Sequence, residues 1–111
     1  MSDLTDESVT MMIRFDVPSD NQAALVAVMS ASLRDVLSRQ AGYVEGAILP
    51  SDDGTHVVNE SRWRHLDDIN AARHDSGAQE MAKQMSDLGA IPHPVIYSTR
   101  ISFPPPNVDL L

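Results

Sequence analysis

The residues best suited to chemistry lie on one predicted strand, in the stretch DDGTHVVNESRW at residues 52–63. Asn59 and Trp63, the only tryptophan, are four positions apart, so strand alternation places the carboxamide and the indole on one face, with Val57 and Ser61. A buried carboxamide requires hydrogen-bond partners. A mixed face of this kind is typical of an apolar ligand cavity with a few polar groups. The alternative is that Asn59 bonds a neighbouring loop and Trp63 simply fills the core.

Helical positions offer a second group of candidate residues. Met81 and Met85 lie one turn apart, where they either pack into the core or form an adaptable wall for a planar apolar ligand. Lys83, the only lysine, lies between them in sequence and therefore on a different face, where a solvated role is the alternative.

The sequence contains no motif for a metal site, a reactive thiol or a phosphate-binding loop. The chain has no cysteine, and no pair of its four histidines has the i, i+4 spacing of a helical metal site with a nearby glutamate. It also lacks a glycine-rich phosphate loop and the elbow motif of a serine nucleophile. We therefore predict no metal site, and we interpret His74, near a helix end, as a surface residue.

Composition narrows the class of partner. The chain has 111 residues, 42% of them hydrophobic, which predicts one globular domain. Its 8 basic and 16 acidic residues give a formal net charge of −8, which argues against nucleic acid and anionic membranes as partners. No apolar run approaches the roughly 20 residues that span a bilayer. The acidic N-terminus MSDLTDES lacks the apolar segment of a secretory signal, so we expect a cytoplasmic protein.

Hydrophobic periodicity predicts the elements that position these residues. We expect a flexible N-terminus at residues 1–8, one domain at 9–103 and an extended tail at 104–111. Strands are predicted at 9–17, 43–50, 55–63 and 95–103, helices at 23–40, 65–75 and 78–88 with a break at Gly77, and a rigid connector, IPHP, at 91–94.

This order predicts an α+β fold. It is β-α-β-β-α(α)-β, the ferredoxin-like split βαβ arrangement, in which an antiparallel sheet carries its helices on one face. The other sheet face would stay apolar and uncovered, so we expect a two-fold related partner sheet to cover it in a homodimer.

The stretch AGYVEGAIL, followed by DGT-x-VVN-x3-W and a helix, resembles the antibiotic biosynthesis monooxygenase family over residues 9–103. In that stretch the chain is similar to the small anthrone monooxygenases of aromatic polyketide pathways, of the actinorhodin and tetracenomycin type. The resemblance implies a dimeric α/β barrel that binds a small aromatic polyketide-like substrate. It further implies oxidation of a polycyclic phenolic anthrone to a quinone, with O2 as co-substrate and no cofactor.

The resemblance also implies site residues. Asn59 and Trp63 would be catalytic, the amide by donating to a developing oxyanion and the indole by stacking on the rings or donating its N–H. Residues expected to contact the substrate are Tyr43, Leu49, Ile69, Met81, Lys83, Met85 and Tyr97.

Three of these positions depart from the actinorhodin-type enzyme. In a gapless alignment through the hairpin, that enzyme has a histidine where this chain has Leu49, a tyrosine at Ile69 and an arginine at Lys83. Two polar groups that handle protons there are therefore absent. Tyr43 and Tyr97 are the candidates to replace them.

Two other functions stay open. Haem-degrading relatives use a tryptophan and a haem-ligating histidine on the next helix, to which Trp63 and His74 would correspond. The first strand of this chain, MMIRFDV, lacks the asparagine that those relatives carry. The second alternative, a non-catalytic ligand-binding or isomerase-like module, follows from the apolar residues Leu49 and Ile69.

Overall fold

The computed structural model describes residues 5–106 and confirms the predicted ferredoxin-like α+β fold. The strands are β1 (Thr5–Asp6), β2 (Val9–Asp16), β3 (Tyr43–Pro50), β4 (His56–Trp63), β5 (Ile91–Tyr97) and β6 (Arg100–Ile101). The helices are α1 (Gln22–Asp35), α2 (Leu66–Arg73) and α3 (Ser76–Asp87), with 3-10 turns at Ser19–Asn21 and Leu37–Arg39.

Four strands form one antiparallel sheet in the order β3-β4-β2-β5, and the helices cover one of its faces. The predicted alternation is confirmed on the two central strands. Val57, Asn59, Ser61 and Trp63 of β4 are buried while their neighbours in between are only half-buried. On β2, Met11 and Phe15 are buried on the same helix-covered face. We call this the helix face and the opposite side the outer face.

The C-terminal strand differs from its prediction. The IPHP segment is not a connector, because β5 begins at Ile91, with Pro92 paired to Phe15 and Pro94 to Ile13. Proline lacks the N–H that a second neighbour would require, and an edge strand tolerates this loss. The strand also ends at Tyr97 instead of continuing to residue 103.

Two short segments near the ends of the described chain form a second, two-stranded sheet. Thr5–Asp6, within the segment predicted to be flexible, pairs with Arg100–Ile101. Residues 104–106 of the predicted tail have neither helix nor strand structure. The remainder of both predictions, residues 1–4 and 107–111, lies outside the described residues.

The boundary between α2 and α3 is set by a side-chain cap and not by glycine. The break between α2 and α3 falls at His74 and Asp75, so Gly77 lies inside α3 and does not interrupt it. The Asp75 carboxylate accepts a hydrogen bond of 3.1 Å from the backbone N–H of Ala78, which satisfies one of the free donors of the first turn. The first helix is shorter than predicted, since α1 ends at Asp35 and a 3-10 turn follows.

Buried apolar side chains form two clusters under the helices. One contains Phe15, Val17, Leu25, Met29, Val57, Met85 and Ala90. The other contains Val9, Met11, Trp63, Ile69 and Ala72. Within the described residues, no helix has the length and apolar character needed to cross a membrane.

Candidate functional site

A cavity of about 540 Å³ lies between the helix face and the helices. Both core clusters contribute to its wall, which is therefore mainly apolar. The volume is within the usual range for small-molecule sites. The lining residues are Met11, Ile13, Phe15, Ser32, Leu37, Asn59, Trp63, Ile69, Ala72, Arg73, Ala78, Gln79, Ala82, Met85, Ser86, Ala90, Pro92, Pro94 and Ile96.

Asn59 is the buried polar group of the sheet wall. It is 5% exposed, and its pairing partners on the two neighbouring strands are Ile13 and Ile48. Its Oδ1 atom is buried without a hydrogen-bond partner among residues 5–106. An unpaired buried polar group costs about 1–3 kcal/mol. The Oδ1 atom can therefore accept a hydrogen bond from a water molecule or a ligand in the cavity. A half-turn of the carboxamide exchanges acceptor and donor, so the amide can bind either kind of group.

Trp63 is held within the fold by its polar edge. It is fully buried, and its Nε1–H donates a hydrogen bond of 2.9 Å to Ser61 Oγ, two residues back on the same strand face. The indole N–H is therefore already engaged. Of the two roles implied by resemblance, stacking on a ring system fits this geometry better than donation to an oxygenated intermediate.

Tyr43 supports Trp63 from outside the cavity. The two rings make a T-shaped contact, with centroids 5.4 Å apart and an interplanar angle of 86°, yet Tyr43 does not line the cavity. Burial, and then the nearby Glu45 carboxylate, raise the pKa of the Tyr43 phenol. Gly46 provides the space for this ring, because a Cβ at that position would lie 2.6 Å from Tyr43 Oη.

Among the predicted helix residues, Ile69 and Met85 line the cavity, while Met81 and Lys83 do not. Ile69 is almost fully buried, so the position where the resembled enzyme has a tyrosine is an apolar part of the wall. Met81 packs against the cluster that contains Met29, as the core-packing alternative predicts. Lys83 is exposed on α3.

Leu49 and Tyr97 lie on the outer face, away from Asn59. Leu49 pairs with Val58 and Tyr97 with Thr10, and both predicted site residues are 48% exposed. Leu49 is six residues after Tyr43, so unbroken alternation predicts one face for both. A β-bulge between Tyr43 and Glu45 moves the following residues to the opposite face.

The prediction from sequence missed Arg73, the only ionisable side chain among the lining residues in the described part of the chain. A signal for it existed, because Arg73 follows Ile69 by four positions and so shares its helical face. Sequence reasoning also missed the serine that holds the indole. Ser61 was placed on the correct face, but its bond to Trp63 depends on side-chain geometry that alternation does not give.

The described residues contain neither a cluster of metal ligands nor a histidine in the wall of the cavity. Residues 5–106 contain no group of three histidine, cysteine or acidic residues positioned to hold a metal ion. His74 does not line the cavity, and its Nδ1 lies 2.7 Å from the carbonyl oxygen of Asn70 at the end of α2. His74 and Trp63, the pair considered from sequence for a haem site, therefore do not share this cavity.

Residues 8–84 match the family model described as antibiotic biosynthesis monooxygenase. Among solved structures, one similar chain is an asparagine-to-alanine variant of SnoaB, described as a cofactor-independent oxygenase from Streptomyces nogalater. Its TM-score is 0.79 and its identity 22%, and the alignment covers 90% of this chain and 100% of that one. The search of curated proteins gave no match.

Two further structures share the fold. The monooxygenase from ActVA-Orf6 of Streptomyces coelicolor, in complex with nanaomycin D, has a TM-score of 0.78 and 21% identity, covering 88% of this chain and 92% of that one. Rv0793 from Mycobacterium tuberculosis has a TM-score of 0.70 and 20% identity, covering 81% of this chain and 92% of that one. At such identities the likeness shows the fold alone.

Proposed function

The chain belongs to the antibiotic biosynthesis monooxygenase family, and we propose that it is a cofactor-free monooxygenase that oxidises a polycyclic phenolic anthrone to a quinone with O2. The observation that carries the proposal is the unpartnered amide of Asn59, buried in the wall of an apolar cavity beside Trp63. SnoaB is described as a cofactor-independent oxygenase and ActVA-Orf6 as a monooxygenase with bound nanaomycin D, which supports this class of reaction and ligand.

The reaction balances without a cofactor. The anthrone loses a proton from its ring CH2 to give an electron-rich enolate. This anion transfers one electron to O2, and recombination forms a C–O bond and a peroxide. Loss of water from the peroxide, with the second CH2 hydrogen leaving as a proton, gives the quinone carbonyl. One O2 is consumed, one of its atoms is retained in the quinone and the other leaves as water.

The chain's own contribution is to bind the anion and exclude water. The Asn59 carboxamide, turned to present its NH2, donates to the oxyanion of the enolate, and such stabilisation is strong where water is excluded. The indole face of Trp63 and the side chains of Ile69 and Met85 hold the rings. No carboxylate or imidazole is among the lining residues between 5 and 106, so the proton is assigned to solvent at the cavity mouth.

The direct test uses metal-free protein and a model substrate. We expect the purified protein to accelerate O2 uptake by dithranol or emodin anthrone above the buffer rate, and Asn59→Ala to lower kcat by about 10²–10³. Asn70→Ala is the matched control, because it is the same substitution at an exposed residue of α2 that does not line the cavity. A wild-type rate equal to buffer and unaffected by Asn59→Ala would reject the proposal.

The homodimer is part of the same proposal. The outer face exposes the apolar side chains of Leu49, Ile91, Val95 and Tyr97 beside its ion pairs, and exposed apolar side chains rimmed by polar residues are typical of a protein–protein interface. A second copy packed on this face gives the dimeric barrel that the resemblance implies, with Leu49 and Tyr97 at the interface.

Light scattering tests the dimer. We expect twice the protomer mass of 12.1 kDa at micromolar concentration, and the mass of one protomer for Val95→Glu. Arg39→Gln, on the 3-10 turn after α1, is the surface control. A wild-type protein that stays monomeric at this concentration contradicts the dimer.

A further inference from the structure

The charge distribution around the cavity is uneven. The chain carries a formal net charge of −8, yet the one ionisable residue among the cavity-lining residues of the described chain is the cation Arg73. The other polar members of the wall are neutral amides and hydroxyls. An anion in this cavity therefore meets a positive charge and no negative one in the wall itself.

Arg73 occupies a position that suits the mouth of the cavity. It is the last residue of α2, one turn after the buried Ile69, and is itself exposed. It contacts both the cavity and solvent, and it forms no ion pair within residues 5–106. Arg14, Arg34 and Arg62, by contrast, are each paired with a carboxylate.

The nearest acidic residue in sequence already has a partner. Asp75 follows Arg73 by two positions, and its carboxylate accepts from the backbone N–H of Ala78 as the cap of α3. That bond holds the carboxylate at the first turn of the helix. It leaves the guanidinium of Arg73 available to an external anion.

We propose that Arg73 binds a carboxylate substituent of the ring ligand, so that the substrate is an acidic polycyclic phenol. The rings occupy the apolar cavity against Trp63, and the carboxylate lies at the mouth. A guanidinium presents a planar pair of donors that matches a carboxylate, and this geometry favours a bidentate contact. The identity of the ring system rests on the proposed function; the preference for an anion rests on Arg73.

The test compares an acid with its uncharged ester. Anthraquinone-2-carboxylate and its methyl ester share their rings and differ in charge, and both are oxidised already, so binding is measured without turnover. Quenching of the fluorescence of Trp63, the only tryptophan, reports their Kd values. We expect the wild type to bind the acid about tenfold or more tightly than the ester, as a charge-assisted hydrogen bond would give.

The variants separate binding from folding. Arg73→Gln is expected to abolish the preference for the acid while leaving the Kd of the ester unchanged, and Arg73→Lys to retain part of it. Arg39→Gln removes the same charge from an exposed residue outside the cavity and is expected to leave both Kd values unchanged. Added salt should reduce the wild-type preference, since an exposed charge is screened.

Each result has a distinct meaning. Equal binding of acid and ester by the wild type, or equal weakening of both by Arg73→Gln, overturns the role of Arg73 and leaves the proposed oxidation standing. A preference for the acid that depends on Arg73, without O2 uptake by any anthrone, supports the anion site and rejects the oxidation. Failure of both compounds to bind overturns the anion site at Arg73, while the proposed oxidation is judged separately by O2 uptake.

Discussion

The two faces of the four-stranded sheet differ in how far their side chains are buried and in which polar groups they hold. On the helix face, Asn59 and Trp63 are almost completely buried, and polar atoms lie beside a cavity. On the outer face, Leu49 and Tyr97 are half-exposed, and they share this face with ion pairs such as Arg14–Asp16 and Arg62–Glu45. The helix face is covered but holds a polar atom without a protein partner, whereas the outer face is uncovered and mixes exposed apolar side chains with ion pairs.

The two faces lack different kinds of contact: the helix face lacks a hydrogen bond, and the outer face lacks burial of its apolar side chains. A buried polar atom without a protein partner requires a hydrogen-bonding group from outside the chain, either an ordered water or a ligand. An exposed apolar surface requires another apolar surface, since burial of its area is the favourable term. The helix face therefore suits the proposed ligand, and the outer face suits the proposed partner sheet.

The largest expected contrast between the faces is at their aromatic residues. Trp63→Ala removes a fully buried indole and is expected to lower the free energy of unfolding by about 3–5 kcal/mol. The outer-face control Tyr97→Ala is expected to cost about 1 kcal/mol in dilute protein. Urea denaturation of both variants measures the contrast, and equal losses would contradict it.

A second test on the helix face concerns the hydrogen bond from the Trp63 indole to Ser61. Ser61→Ala leaves the buried indole N–H without its acceptor and is expected to cost about 1–3 kcal/mol. In a Trp63→Phe background the same substitution should cost almost nothing, because the donor is gone. A double-mutant cycle from urea denaturation gives this coupling energy, and a coupling near zero would show that the bond does not stabilise the fold.

A smaller effect is expected at the contact between strand and aromatic ring. Gly46→Ala brings a Cβ within 2.6 Å of Tyr43 Oη, and because this atom ends a side chain the expected cost is about 1 kcal/mol. The displaced ring should also shift the emission of Trp63. Ala47→Ser, the next residue on the outer face, is the control. Unchanged emission in Gly46→Ala would show that Tyr43 does not support the indole.

The smallest effect is a pH dependence. Burial, with Glu45 second, raises the pKa of Tyr43. A pKa that is higher in the folded protein than in the unfolded chain gives stability that is fully present below the unfolded pKa of about 10 and is lost as pH rises through the folded pKa. We expect Tyr43→Phe to reduce the fall in unfolding free energy above about pH 10. An identical alkaline fall in the variant would contradict this assignment.

Alternation within strands is sufficient to predict that Asn59 and Trp63 share one face. Together with helical periodicity, it also predicts the order of the elements. It failed at Leu49 because one bulged residue changes the face of every residue after it, and a bulge leaves no clear mark in a single sequence. The face of Tyr97 could not be predicted either, since period two does not say which face the helices cover.

Other errors came from local signals that the tertiary structure overrides. Gly77 was interpreted as a helix break, but the carboxylate of Asp75 caps α3 one residue before its start. Two prolines suggested a connector, but β5 is an edge strand that tolerates them. Arg73 is inconspicuous in the sequence, because a basic residue in the last turn of a helix already has an ordinary explanation in the helix dipole.

The central claim is that Asn59 is present for a ligand and not for the fold. One paired measurement tests it most directly: the urea midpoint and the rate of anthrone oxidation of Asn59→Leu, a variant of similar volume without a polar group. Because Oδ1 has no partner in the folded chain, we expect the midpoint to stay equal or rise while kcat falls by about 10²–10³. A lower midpoint with the wild-type rate would contradict the claim.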